Sequence, residues 1–166
     1  MDPSNGYEAV SQEFLTRRGG SRARSTAIGV KEVRKWATTL PRGGSVIDLG
    51  CGPGFPITVV LVEEGLQLFG VDAAPSLVAA FRHNLPGTPV VCESVLESRL
   101  FDRTFDAVLS IGLMFLLKPE EQHRLIQRFL LGAVGISVTE ECEDVGQNHY
   151  FDCVADRVII EAPGTR

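Results

Sequence analysis

The chain has no run of about 20 apolar residues of the kind that spans a bilayer, and its N-terminus, MDPSNGYEAV, carries no basic stretch followed by an apolar one. Both absences predict a soluble, cytoplasmic protein that makes no membrane contact. An excess of positive charge is also missing: 16 Lys and Arg stand against 21 Asp and Glu, a net charge of -5, and neither sign forms a long block. A nucleic-acid partner needs a basic face, so none is expected, and a small-molecule partner is the simpler default. Metal-ligand spacing is absent too. Cys51, Cys92, Cys142 and Cys153 are scattered singly, without a CxxC pair or a histidine at ligand distance in sequence. That argues against zinc and against a disulfide framework. A metalloid-binding thiol set stays conceivable, but a small buried apolar side chain is the commoner role of such cysteines; no metal is expected.

What the chain does have is apolar content, 44% of 166 residues, enough for one domain with a real core and too little for two. Tyr7, Val10, Phe14 and Leu15 recur at helical spacing before a polar break, Arg17 to Ser25. A second helix is expected from Ser25 as N-cap, with Val30, Val33, Ala37 and Leu40 on one stripe, ending at the turn Pro41 to Gly44. These N-terminal helices, residues 1–40, are read as a cap over the site, and residues 41–166 as the core.

From Ser45 short apolar runs alternate with helical stretches: SVIDL, PITVVLVEE, LQLFGVD, PSLVAAFRHN, PVVC, DAVLS and PEEQHRLIQRFLL. Such alternation predicts repeated βαβ units and a mostly parallel, doubly wound α/β sheet. Pro56, Pro75 and Pro119 fall where first helical turns are expected, and Gly65 where a helix ends. Past Leu131, Ile136 and Val138 alternate with polar residues; after EDVGQN the run HYFDCV suggests a C-terminal antiparallel hairpin, with EAPGTR frayed beyond it.

The segment VIDLGCGPG lies between a strand and a helix and sets Asp48 two residues before Gly50, with Gly52 and Gly54 at alternate positions. Glycines let the backbone turn sharply and let a ligand approach the main chain, while an acid suits an ammonium group. The dinucleotide fingerprint GxGxxG fits poorly, because its third glycine position holds Phe55, and a nicotinamide-dependent oxidoreductase is disfavoured accordingly. Asp72 ends the second strand 22 residues after Gly50, where a carboxylate can accept hydrogen bonds from ribose hydroxyls or simply cap the next helix.

VIDLGCGPG together with GVDAAPSLVAAF and FDAVLSIGLMFLL resembles the small-molecule branch of class I, Rossmann-like S-adenosylmethionine-dependent methyltransferases. The resemblance implies that Gly50, Gly52 and Gly54 wrap the methionine end of the cofactor, Asp48 orients its ammonium, and Asp72, with Ala73 beside it, holds the ribose. It also implies that Glu93 and Ser94 lie near the adenine, that Ile111 and Gly112 meet the methionine group, and that Met114 and Phe115 border the acceptor pocket. Cys51, inside the loop, is read as packing there. Direct displacement on a sulfonium needs alignment more than a base; His149, Tyr150 and Tyr7 are the candidates if a proton must leave, each with a plain packing or hairpin role as the alternative. His83 and His123 are read as exposed helix residues, and Arg17, Arg18, Arg22 and Arg24 as a solvated linker. Members of the family follow the fourth strand's helix with a fifth strand and a lid insertion, and both are absent between RLIQRFLL and GISVTE. Two functions follow: an active methyltransferase for a small acceptor, or a shortened cofactor-binding scaffold without turnover. If the shortening holds, GISVTE is the run expected to pair with DAVLS.

Overall fold

The computed structural model describes residues 2–18, 29–130, 136–139 and 157–161. Its helices are α1 (Tyr7–Arg18), α2 (Val30–Ala37), α3 (Thr58–Glu63), α4 (Pro75–Asn84) and α5 (Pro119–Leu130). Its strands are β1 (Ser45–Leu49), β2 (Gln67–Asp72), β3 (Val90–Cys92), β4 (Ala107–Ser110), β5 (Ile136–Thr139) and β6 (Arg157–Glu161). They form one sheet in the order β3-β2-β1-β4-β6-β5. The first four strands are parallel. β6 runs antiparallel to both β4 and β5.

Strand alternation divides the core into two layers. Val46, Leu68, Ala107 and Leu109 turn to the face covered by α2, α3 and α4, where Val30, Val33, Val60, Leu61 and Phe81 pack on them. Ile47, Leu49, Val71 and Val108 turn to the opposite face, under Met114, Leu117 and Leu125. Burial on both faces explains why these strands read as near-continuous apolar runs. The same alternation sends Asp48 to the first face, at the register of Gly70 and Leu109. β1 is paired with β2 on one side and β4 on the other, so the chain's winding reverses there and the carboxyl ends of these strands frame a cleft, the usual ligand position in an open α/β sheet.

Three local expectations change. α2 starts at Val30 with Gly29 as N-cap rather than Ser25, which lies outside the described residues; Gly29 takes the left-handed φ of +87°, a conformation that stops a helix. Pro56 precedes α3, which begins only at Thr58, because the turn after β1 runs on through Ile57. In the C-terminal part an antiparallel pair forms between ISVT and RVIIE, and HYFDCV, the run expected in the hairpin, lies outside the described residues. Val158 and Ile160 there stand opposite Val138 and Ile136 in the register. It is β6, too, and not the ISVT strand, that sits beside β4: Ala107 pairs with Glu161 and Val108 with Ile160, and β5 lies outside it.

One glycine of β2 positions the cleft. A Cβ at Gly70 would lie 2.8 Å from Cys51 Sγ and 3.2 Å from both Phe81 Cζ and Val90 Cγ2, so the strand, the loop after β1 and α4 meet where no side chain fits. Gly70→Ala is expected to destabilise the fold by about 1–3 kcal/mol through overpacking, read as a lower denaturant midpoint at unchanged slope. Adding Cys51→Ala in the same chain recovers part of that loss, since neighbouring substitutions do not add.

Candidate functional site

The loop after β1 is stitched to the end of β2. Gly50 N–H and Cys51 N–H donate to the Val71 carbonyl at 2.8 and 3.2 Å. Gly52 N–H donates to Asp72 Oδ2 at 2.8 Å. Gly50, Gly52 and Gly54 all have positive φ, between +53° and +80°, which L side chains rarely adopt. Their α-carbons face different neighbours. A Cβ at Gly50 would press on Leu113 at 3.1 Å, and one at Gly54 on Leu85 at 2.7 Å, so these two allow the loop to sit close to the β4–α5 connection and to α4. At Gly52 it would meet only Phe14 of α1, at 3.7 Å.

Two buried carboxylates stand under this loop. Asp48 is 4% exposed and accepts a hydrogen bond from the Thr58 hydroxyl at 2.7 Å. Burial lifts its pKa from the usual carboxylate range to about 7, against the Thr58 bond and helped by the nearby charge of Asp72. Asp72 also has a raised pKa, chiefly from burial, held back by N–H donors of Ala74 and Gly52. Its Oδ1 accepts from Ala74 N–H at 2.9 Å, so the helix-capping role is realised alongside the loop contact. Cys51 is buried in the first core layer, and desolvation pushes its thiol well up, with the nearby charges of Asp48 and Asp72 adding to it.

The remaining expected residues fall as follows. Ala73 is half-buried at the cleft beside Asp72. Glu93 N–H donates to the Asp72 carbonyl at 3.0 Å and its side chain is exposed, while the Ser94 hydroxyl accepts from Leu96 N–H at 3.4 Å. Ile111 is half-buried against the first core layer, and Gly112 turns with φ +76°. Met114 is buried, and Phe115 stands 52% exposed above Gly112. Tyr7 lies on α1, edge-on to Phe14 with ring centroids 5.7 Å apart. His149 and Tyr150 lie outside the described residues. His83 and His123 are exposed, as read from the sequence. Among the described residues no cluster of His, Cys, Asp and Glu could hold a metal ion. No helix among them is long and apolar enough to cross a membrane.

Sequence reasoning missed three contributors. Thr58, the polar residue that opens the apolar helix TVVLVE, is the partner of Asp48. Glu8 of α1 accepts from the Ser76 hydroxyl and amide at 2.5 and 3.0 Å. Ser110 ends β4 beside Leu49, 1% exposed, and its hydroxyl has no partner among the described residues. A serine closing the run DAVL was the available signal. An unpaired buried hydroxyl costs about 1–3 kcal/mol.

Residues 46–130 match the family model described as a methyltransferase domain. An uncharacterised methyltransferase of Mycobacterium tuberculosis is 32% identical over 132 residues, 72% of this chain and 53% of the relative. The chain therefore spans about half the length of that relative. The cypemycin N-terminal methyltransferase of a Streptomyces species is 33% identical over 84 residues, 50% of this chain and 34% of that protein. Among solved structures, a sugar N-methyltransferase from Streptoalloteichus superposes with a TM-score of 0.58 at 26% identity, covering 71% of this chain and 47% of the other. A TehB-like methyltransferase from Corynebacterium glutamicum superposes with a TM-score of 0.67 at 18% identity, covering 93% and 98%, a likeness of fold.

Asp48 makes folding pH-dependent in a definite direction. Its folded pKa is raised, so its contribution is fully present below the unfolded value near 3.8 and is lost as pH rises toward about 7. Asn keeps the oxygen that accepts from Thr58 and cannot ionise. Asp48→Asn is therefore expected to stabilise the unliganded chain at pH 8, by roughly 1–4 kcal/mol, and to have much less effect at pH 4. Thermal melts across that range check it. A gain that is the same at every pH contradicts the burial of an ionisable group at this position.

Proposed function

The chain belongs to the methyltransferase domain family, and on that premise we propose that it binds S-adenosylmethionine in the cleft between β1, β2 and β4 and serves methyl transfer to a small-molecule acceptor. The observation that carries the proposal is the pair of buried acids beneath a positive-φ glycine loop, Asp48 and Asp72, with no basic side chain among their hydrogen-bond partners. Buried charges call for a partner. A zwitterionic amino-acid end with an ammonium and a ribose with two hydroxyls complement them.

The residues present fit such a group. An ionised carboxylate accepts at about four lone-pair positions. The two bonds that Asp72 receives from Gly52 and Ala74 leave acceptor capacity for both ribose hydroxyls. Asp48 offers negative charge to the ammonium, and Ser110 at the end of β4 has a hydroxyl still to satisfy. Ala73, with Glu93 and Ser94 after β3, would border the adenine. Ile111 and Gly112 would supply backbone to the methionine end.

Bound there, S-adenosylmethionine supplies a methyl group activated on a sulfonium. The chain's own part is to align donor and acceptor and to keep water out. Phe14 lies over Gly52 and helps to exclude solvent, which supports the cap assigned to the N-terminal helices; α2, by contrast, is part of the first core layer through Val30, Val33 and Ala37. Leu113, Met114 and Phe115 after β4 give the acceptor side an apolar border. Of the three candidates for taking an acceptor proton, Tyr7 lies on α1 against Phe14, the ring that covers Gly52, which supports keeping it as one. The cypemycin N-terminal and sugar N-methyltransferase relatives make amines the first acceptors to try.

Calorimetry with S-adenosylmethionine and S-adenosylhomocysteine tests the proposal, with NAD as a control. Binding near micromolar, about 8 kcal/mol, is expected for both, with none for NAD and at least a tenfold loss in Asp72→Ala. A folded chain that binds neither compound contradicts it. Binding without turnover across a panel of amine, hydroxyl and thiol acceptors supports the scaffold function instead.

A further inference from the structure

Helix α1 is fastened across the cleft at three places, each on a different cofactor-loop element. At its amino end Asp2 ties the entry turn, accepting from Ser4 N–H at 2.9 Å, the Ser4 hydroxyl at 2.7 Å and Gly6 N–H at 2.8 Å. From that turn Asn5 Nδ2 donates to the Leu116 carbonyl, beyond β4, at 2.9 Å. One helical turn on, Glu8 receives both the Ser76 hydroxyl, at 2.5 Å, and the Ser76 amide, at 3.0 Å, in the first turn of α4. Two turns further Phe14 covers Gly52 in the loop after β1. The helix thus bridges the ends of β1, β2 and β4.

The Glu8 contact differs in kind from the other two. Ser76 stands four residues after Asp72, and the Asp72 carboxylate is bonded to Ala74 N–H in between. Glu8 closes the N-terminal turn of α4, where a carboxylate is favoured by the free amides and the helix dipole. The bond is short, charge-assisted and shielded, with both residues half-buried. α1 itself has no continuous apolar stripe: Val10 is 45% exposed. Its docking therefore leans on polar anchors more than on area.

We propose that Glu8 is a positioning residue that clasps Ser76, holds α1 closed over the cleft and thereby sets how slowly a bound cofactor leaves. The proposal rests on the cofactor assignment above. Opening the clasp frees the first turn of α4 and uncovers Gly52, so entry and exit require α1 to lift. Ser76 is the reciprocal half of the clasp: loss of Glu8 removes both bonds, while loss of the Ser76 hydroxyl removes the shorter one and leaves the amide's. The conservative change Glu8→Gln keeps one acceptor oxygen and retains part of the hold.

The experiment combines two readouts on the full chain. The first is the dissociation rate of S-adenosylhomocysteine, by displacement with excess S-adenosylmethionine. The second is amide hydrogen exchange over residues 7–18 of the unliganded protein. In Glu8→Ala the dissociation rate is expected to rise at least tenfold and exchange in α1 to rise with it, and in Ser76→Ala, which keeps the amide bond to Glu8, both are expected to rise by less. The double variant should be no faster than the faster single one, and Glu8→Gln should fall between. Exchange in β1 and β2 stays at the wild-type level, which separates loss of the clasp from general destabilisation. A dissociation rate within twofold of wild type in Glu8→Ala overturns the clasp while leaving the cofactor site intact. Unchanged exchange in α1 also overturns it. A wild-type chain that binds neither compound removes the cofactor assignment, and the clasp's role with it.

Discussion

The register between β1 and β2 is the constraint on which the site depends. With Leu49 opposite Val71, the Val71 carbonyl is the acceptor for two successive loop amides, and Asp72 reaches the third. A slip of one residue would turn Asp48 from the α3 face to the other and bring a large side chain to Gly70, where Cys51 and Phe81 leave no room. The glycines then follow. Gly52 takes its left-handed conformation so that its amide points at Asp72, and Gly50 and Gly54 so that Leu113 and Leu85 can close on the loop. Fold and site are in this sense one arrangement.

Burying two acids so close together works against the stability of the unliganded chain. Among the described residues Asp48 has a hydroxyl donor and Asp72 two amides, and no cation is bonded to either. Burial of both acids weakens the unliganded fold at neutral pH, a cost of the kind that functional sites often carry. α2 is packed into the core through an apolar stripe and an ion pair of Arg34 with Glu63 and Glu64 on α3. The polar contacts of α1 among the described residues, by contrast, reach Leu116 beyond β4 and Ser76 at the start of α4.

Much of this was legible in the sequence where local and global signals agree. SVIDL, LQLFGVD and DAVLS are parallel strands because they are short, apolar and β-branched, and each is followed by a turn with glycine or proline. The loop acids were legible because spacing in sequence becomes adjacency at the sheet's edge. Contacts that depend on tertiary placement were not. Glu8 and Ser76 are 68 residues apart, and no periodicity links them. Ser110 looks like any strand-end serine until the sheet buries it. Gly29 replaced Ser25 as the N-cap because a backbone conformation decided the helix start, not a side-chain oxygen. RVIIE was not singled out because strand choice at the sheet's end follows cross-strand pairing with ISVT and β4, which a local pattern does not show.

The central claim is that Asp48 is a buried acid prepared for the cofactor's ammonium. It is tested most directly by counting protons exchanged when S-adenosylmethionine binds, using calorimetry at pH 6.5 in buffers of different ionisation enthalpy. At that pH the ligand's amine, like other α-amino groups with pKa about 7.7–8.0, is already charged. A free Asp48 with a pKa of about 7 is more than half protonated there and must ionise as the complex forms. The account predicts release of a substantial fraction of one proton, absent in Asp48→Asn. Tight binding with no proton release, or the same release from the variant, would contradict it.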